Sequence, residues 1–174
     1  MTNFGRSAAV AGTPGGQVLP WPINPFWSNL DPKIWDLPKD YFSYGVTFDS
    51  IAAGATTTEE FQVQSDSHFM ILAATLTAVD PATPGTVFDP ADLLCRITDA
   101  GSGREVMNQQ VHVRNLFGDG ELPAYWPYPK IIKRSSTVVV ELENLEAAQA
   151  LRVFVDFLGF KLFRGPGFRV VLDD

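Results

Sequence analysis

Cysteine occurs once and histidine twice in 174 residues, and these scarcities exclude several functions at the outset. A single cysteine permits no internal disulfide. Two histidines far apart in sequence, His68 and His112, with the lone Cys95, do not make a zinc set, and neither histidine stands in a nucleophile–base–acid signature. No metal, cofactor or catalytic residue is therefore assigned, and an enzyme is not expected. Cys95 lies in the apolar run Leu93-Leu94-Cys95-Arg96-Ile97 and reads as a small core residue.

Long apolar runs are also missing. The longest, Phe69 to Leu76, is broken by Thr75 and falls far short of a membrane span. Ser7 to Val18 is small, polar and glycine-rich, unlike a secretory h-region, so a soluble product made in the cytoplasm is expected, with no membrane partner. Positive charge is scarce in one place: residues 46–95 carry seven acids and no Lys or Arg, whereas residues 96–174 carry ten of each. With a net charge of −7, a grip on free DNA or RNA is not expected. The acidic stretch predicts a solvated surface, or one that faces a basic neighbour.

Residues 1–45, in contrast, hold six of the thirteen prolines and three of the four tryptophans. Proline at that density denies regular helix and strand, so an extended arm is predicted. Leu19-Pro20-Trp21-Pro22-Ile23-Asn24-Pro25-Phe26-Trp27 is too aromatic to stay bare in water and should insert into its own domain or a neighbour. Trp21, Phe26, Trp27 and Trp35 are its candidate anchors. A short helical turn is predicted near Asp31 to Leu37, with Asp31 as cap and Pro32 at the first helical position.

Residues 46–174 change to β-branched and apolar segments divided by turn residues. Strands are predicted at Tyr41 to Phe48, Thr56 to Val63 and His68 to Val79, the last two as a hairpin about Ser65-Asp66-Ser67. Leu93 to Thr98 follows, then an irregular strand from Arg104 to Val113. Leu116 to Tyr128, with two glycines and two prolines, is predicted as an ordered aromatic loop in which Tyr125, Trp126 and Tyr128 form a second candidate surface. Val138, Val140 and Leu142 share one strand face, as do Leu151, Val153, Val155 and Phe157. Phe154, Leu158, Phe160, Leu162 and Phe163 exceed what one face can absorb, and a last strand is predicted at Phe168 to Leu172. About eight strands without an amphipathic helix indicate an all-β, two-sheet, jelly-roll-like sandwich.

Chemistry-bearing patterns are weak. Gly101-Ser102-Gly103-Arg104 lacks the spacing and the Lys-Ser/Thr ending of a phosphate loop and reads as a turn. Glu59 and Glu60, adjacent on a strand, point to opposite faces and cannot flank one glycosidic bond. Gly118-Asp119-Gly120-Glu121 lacks the repeated acids of a calcium loop. Lys130, Lys133 and Arg134 form the strongest basic patch, read as edge protection or as a contact for an acidic neighbour.

Several segments together resemble structural proteins of tailed bacteriophages, and the layout is similar to jelly-roll capsid cement or decoration proteins. They are Asp66-Ser67-His68-Phe69-Met70-Ile71, Ile97 through Arg104, Val111 to Pro123, Pro127-Tyr128-Pro129-Lys130, Ser135 through Glu141, and Val155 through Leu162. The resemblance spans about residues 60–163. It implies a non-enzymatic virion protein on the capsid surface that binds across major-capsid-subunit borders, with the major capsid protein and copies of itself as partners and no small-molecule ligand. Similar modules occur in necks, tails and fibre bases. A carbohydrate-binding sandwich using Tyr125, Trp126 and Tyr128 is the rival from a different class.

Overall fold

The computed structural model describes residues 34, 36–83, 85–88, 92–119 and 121–163. Trp21, Phe26, Trp27 and Trp35, and the strand expected at Phe168 to Leu172, lie outside the described residues. Within them the chain forms β1 (Lys39–Ile51), β2 (Thr56–Gln62), β3 (Ser67–Val79), β4 (Val87–Phe88), β5 (Leu93–Asp99), β6 (Arg104–Glu105), β7 (Val111–His112), β8 (Ala124–Ile132), β9 (Thr137–Asn144) and β10 (Leu151–Phe163).

Two antiparallel sheets result. In the first, β10 lies between β1 and β3, and β3 carries β4 and β8 along its other side. In the second, β9 lies between β2 and β5, and β5 carries β6 and β7. The orders β1-β10-β3-β8 and β2-β9-β5-β7 interleave early and late strands, and the chain changes sheet at β1–β2, β2–β3, β4–β5, β7–β8, β8–β9 and β9–β10. That connectivity is a jelly roll, in agreement with the sandwich expected from the strand pattern.

The core forms where inward residues of both sheets meet. Val138, Val140 and Leu142 of β9 and Leu151, Val153, Val155 and Phe157 of β10 are all buried there, as their period of two requires. Tyr44 stacks on Phe61 at 4.9 Å between ring centroids and meets Phe69 edge-on at 4.8 Å, tying β1, β2 and β3 together across the sandwich.

β2 and β3 do not form the expected hairpin. β2 pairs with β9 in one sheet and β3 with β10 in the other, so the short link between them hands the chain from sheet to sheet. The reason is visible in their side chains: β2 exposes most of its residues and suits an edge, whereas β3 is apolar on both faces and needs neighbours on both sides. Lys161 is buried at this crossing, bonded to Gln64, 3.6 Å from Asp66 and 4.3 Å from the centre of the Phe42 ring.

The predicted aromatic loop also differs, since its second half is β8, paired to β3. Pro127 and Pro129 cannot donate to a ladder, which confines β8 to an edge position. The irregular strand expected from Arg104 to Val113 is two short pieces, β6 and β7, both attached to β5. β1 begins at Lys39, inside the stretch that composition assigns to the arm.

Two backbone crossings demand particular residues. At Gly159 an added Cβ would stand 1.9 Å from the Met70 carbonyl oxygen, so glycine alone fits the register shift between β10 and β3. Asn144 is fully buried; its side-chain amide donates to the carbonyls of Ile51, Ala52 and Gln149 at 3.1, 3.3 and 2.8 Å, while its oxygen accepts from the Glu146 amide at 3.0 Å. It joins the β1–β2 turn to the β9–β10 link.

Asn144→Ala strands several buried polar groups and is expected to cost about 3 kcal/mol. Thermal unfolding should show the midpoint falling by roughly 6–12 °C. Asn144→Asp, which keeps the shape but donates nothing, should fall by a similar amount.

Candidate interaction surface

The outer faces of the two sheets are unlike. On the second sheet, β9 turns Thr137, Val139, Glu141 and Glu143 outward, beside Glu60 and Thr58 of β2 and Arg96 and Thr98 of β5. Arg96 pairs with Glu105, and Gln110 donates to Glu141 at 3.0 Å, so this face is polar, predominantly acidic and internally bonded.

The first sheet presents mainly hydrocarbon, with the Asp156 carboxylate between Phe154 and Leu158. Its central strand β10 places Phe154, Leu158 and Phe160 on the outside, alternating with the core residues Val155 and Phe157. Small residues flank this ridge: Ser43, Gly45 and Thr47 on β1, and Ala73, Thr75 and Thr77 on β3, stand opposite Leu158, Asp156 and Phe154. At one end Tyr41 meets Phe160 edge-on at 6.1 Å. There a second apolar cluster forms from Met70, Leu72 and Leu162, with Leu37 buried against it and Ile34 and Ile131 packed beside it.

β8 supplies two further exposed tyrosines, Tyr125 and Tyr128, besides Tyr41 on β1. Tyr125 pairs with Ala73 and Lys130 with Ile71, so four residues, Trp126 to Pro129, stand opposite Leu72 alone. This wide bulge divides the aromatic triplet. Trp126 turns into the core, 8% exposed, with its indole N–H donating to the Leu116 carbonyl at 3.1 Å and its ring edge-on to Phe157. Tyr125 and Tyr128 stay 61% and 67% exposed. Trp126, expected among the surface anchors, is thus a core residue; its large apolar ring gains more from burial beside Phe157 than a tyrosine with a hydroxyl to solvate would.

The basic patch sits where β8 ends. Lys130 is on β8, and Lys133 and Arg134 occupy the turn that closes with the Ser136 amide donating to the Lys133 carbonyl at 3.2 Å. His68 is buried in β3 and its Nδ1 accepts the Arg134 amide at 3.3 Å, so it anchors this turn. His112 lies in the other sheet, with Nε2 3.3 Å from the Asp92 carboxylate and Nδ1 accepting from the Arg114 amide. Among the described residues, no group of three His, Cys, Asp or Glu stands together as a metal set. No helix in the described part is long and apolar enough to cross a membrane.

Sequence pattern alone marked Phe154, Leu158 and Phe160 as surplus to one core. It did not mark Tyr41, whose partner Phe160 lies more than a hundred residues away and becomes adjacent only through the β1–β10 pairing.

No protein-family model and no curated protein sequence matches the chain. Among solved structures, the VP2 subviral particle of infectious bursal disease virus is similar at 12% identity and a TM-score of 0.31, covering 77% of this chain and 44% of that one. T=1 particles derived from infectious bursal virus are similar at 12% identity and a TM-score of 0.25, covering 74% and 41%. The chain therefore spans less than half the length of either neighbour, and its fold rests on its own strand pairing.

Cys95 is buried opposite Leu142, and burial, reinforced by the nearby Glu141 charge, pushes its thiol up to about 12 from an ordinary 9.0. In the unfolded chain the thiol ionises near 9.0, so above that pH the unfolded state holds fewer protons and stability falls as pH rises towards 12. Denaturant titrations at several pH values should show the native chain losing up to about 1.4 kcal/mol per pH unit more than Cys95→Ala across that window. A thiol reagent at neutral pH should label the protein only after unfolding.

Proposed function

We propose that this chain is a non-enzymatic virion structural protein that cements or decorates a bacteriophage capsid by binding across the borders of major capsid subunits. The carrying observation is the β8 bulge, which commits Trp126 to the core and thereby holds Tyr125 and Tyr128 in water on a braced edge. Exposed aromatics on a rigid frame are the usual anchors of protein interfaces, because they bury much area with little loss of side-chain freedom.

Other features support the same role. Jelly rolls occur as capsid, lectin and cupin domains. A cupin-type site calls for clustered histidines, whereas His68 and His112 sit in opposite sheets and each accepts from a backbone amide, of Arg134 and of Arg114. A lectin-type platform would use the whole aromatic triplet, and burial of Trp126 removes its broadest ring. The polar, acidic outer face of the second sheet suits solvent, which leaves the first sheet and the β8 edge to meet the major capsid protein or another copy of this chain. The arm residues Trp21, Phe26, Trp27 and Trp35 and the basic patch Lys130, Lys133 and Arg134 complete the proposed contact set, and the sequence resemblance supplies the capsid as its setting. Repetition over a symmetric shell would turn a modest contact per copy into firm attachment.

The full chain mixed with preformed capsid shells should co-sediment at a fixed ratio to the major capsid protein. Tyr125→Ala with Tyr128→Ala should weaken that binding by about tenfold or more while leaving thermal stability nearly unchanged, as expected for two exposed interface anchors. A native chain that ignores the shells would overturn the capsid assignment. Glycan binding that depends on Tyr128 would then favour the carbohydrate-binding module.

A further inference from the structure

We propose that in the free chain the outer face of the β1–β10–β3 layer is the seat of the chain's own segment Leu19–Trp27. This inference concerns the protein before any assembly and stands or falls separately from the capsid assignment.

The face is shaped for such an occupant. Phe154, Leu158 and Phe160 stand along β10 with Asp156 between the first two; small side chains of β1 and β3 flank the stretch from Phe154 to Leu158, which leaves room for large rings, and Tyr41 and Met70 flank Phe160. Phe154 is 39% exposed, too much hydrocarbon to be part of a settled core. Because it is the flat of a sheet rather than its edge, the face offers no backbone hydrogen bonds. Leu19–Trp27 needs few: Pro20, Pro22 and Pro25 have no amide proton, and the segment carries no charge. Its apolar side chains require burial, and its prolines restrain it to an extended form before it docks, which lowers the entropy lost on seating.

Chain direction selects the same molecule as the source. Phe163 donates to the Pro38 carbonyl at 2.9 Å, and the Leu37 amide turns back to Ile34 at 3.4 Å. This turn lays Ile34 and Leu37 against Met70, Leu72 and Leu162, on that same outer face. The face is thus already covered at one end by Ile34 and Leu37, which follow the segment Leu19–Trp27 along the chain. From Ile34 back to Leu19 there is chain enough to extend about 50 Å, whereas Leu162 to Phe154 along β10 is only about 27 Å. The tether also keeps the segment at a high effective concentration over its own face, ahead of any second copy in dilute solution. Tyr125 and Tyr128, on the β8 edge, remain for a partner.

Acrylamide quenching of tryptophan fluorescence in the full-length protein, without shells, tests this. Seating shields Trp21 and Trp27, so Phe154→Arg and, separately, Leu158→Asp should raise the quenching constant severalfold. Thr58→Arg, on the opposite sheet, should leave it unchanged. Far-UV circular dichroism and a cooperative thermal transition establish that each variant sandwich is folded, and Phe154, being partly exposed, can be replaced without opening the core. Quenching that is the same in the native chain and in the folded variants overturns the inference. Shielding that disappears on dilution also overturns it, by assigning the face to a second copy.

Discussion

β10 has apolar side chains on both of its faces, and the arrangement of the sandwich depends on satisfying them. Its inner row, Leu151, Val153, Val155 and Phe157, closes the core against β9 and β5. A strand of this kind cannot stand at an edge, and β10 lies between β1 and β3, each paired with it over most of its length. Once β10 is central, β1 and β3 are fixed on its flanks. The chain then runs from β1 through Ala52 to Ala55 into β2 of the second sheet and returns through Gln64 to Asp66 into β3, two of the crossings of the jelly roll. The outer row of Phe154, Leu158, Phe160 and Leu162, interrupted by Asp156, is the consequence that reaches beyond the fold, because it makes one side of the sandwich largely apolar.

Asymmetry between the two outer faces links structure to function. The second sheet is covered by Glu60, Glu105, Glu141 and Glu143, with Arg96 neutralising part of that charge. Such a face favours water. The first sheet and its β8 edge combine hydrocarbon, exposed tyrosines and a basic turn, a composition suited to contact with protein.

Strand positions in the core were legible because alternation is strict: Val138 to Leu142 and Leu151 to Phe157 read directly as half-buried strands. Partnership was not legible, since Ser65-Asp66-Ser67 looks like a hairpin turn whether it joins neighbours or passes between sheets. The choice is made by β3's demand for neighbours on both sides, which is a property of the whole sheet. The Trp126-Pro127-Tyr128-Pro129 segment misled for a different reason. Prolines signal a loop, yet on an edge strand the missing donors point away from the ladder and cost little, and the bulge that results sends the tryptophan inward. The surplus aromatics of β10 were visible in sequence, but only the pairing of Tyr41 with Phe160 and of Ser43 with Leu158 shows that they form one continuous surface.

Hydrogen exchange on the full chain, alone and bound to assembled shells, compares the two sides of the sandwich in one measurement. Contact through the β8 edge predicts that amides around Tyr125 to Lys130 become slower on binding while those of the outer strand β2, Thr56 to Gln62, keep their free-chain rates. Slowing confined to β2 with no change in β8 would contradict the assignment of the first sheet and its β8 edge as the side that meets a partner.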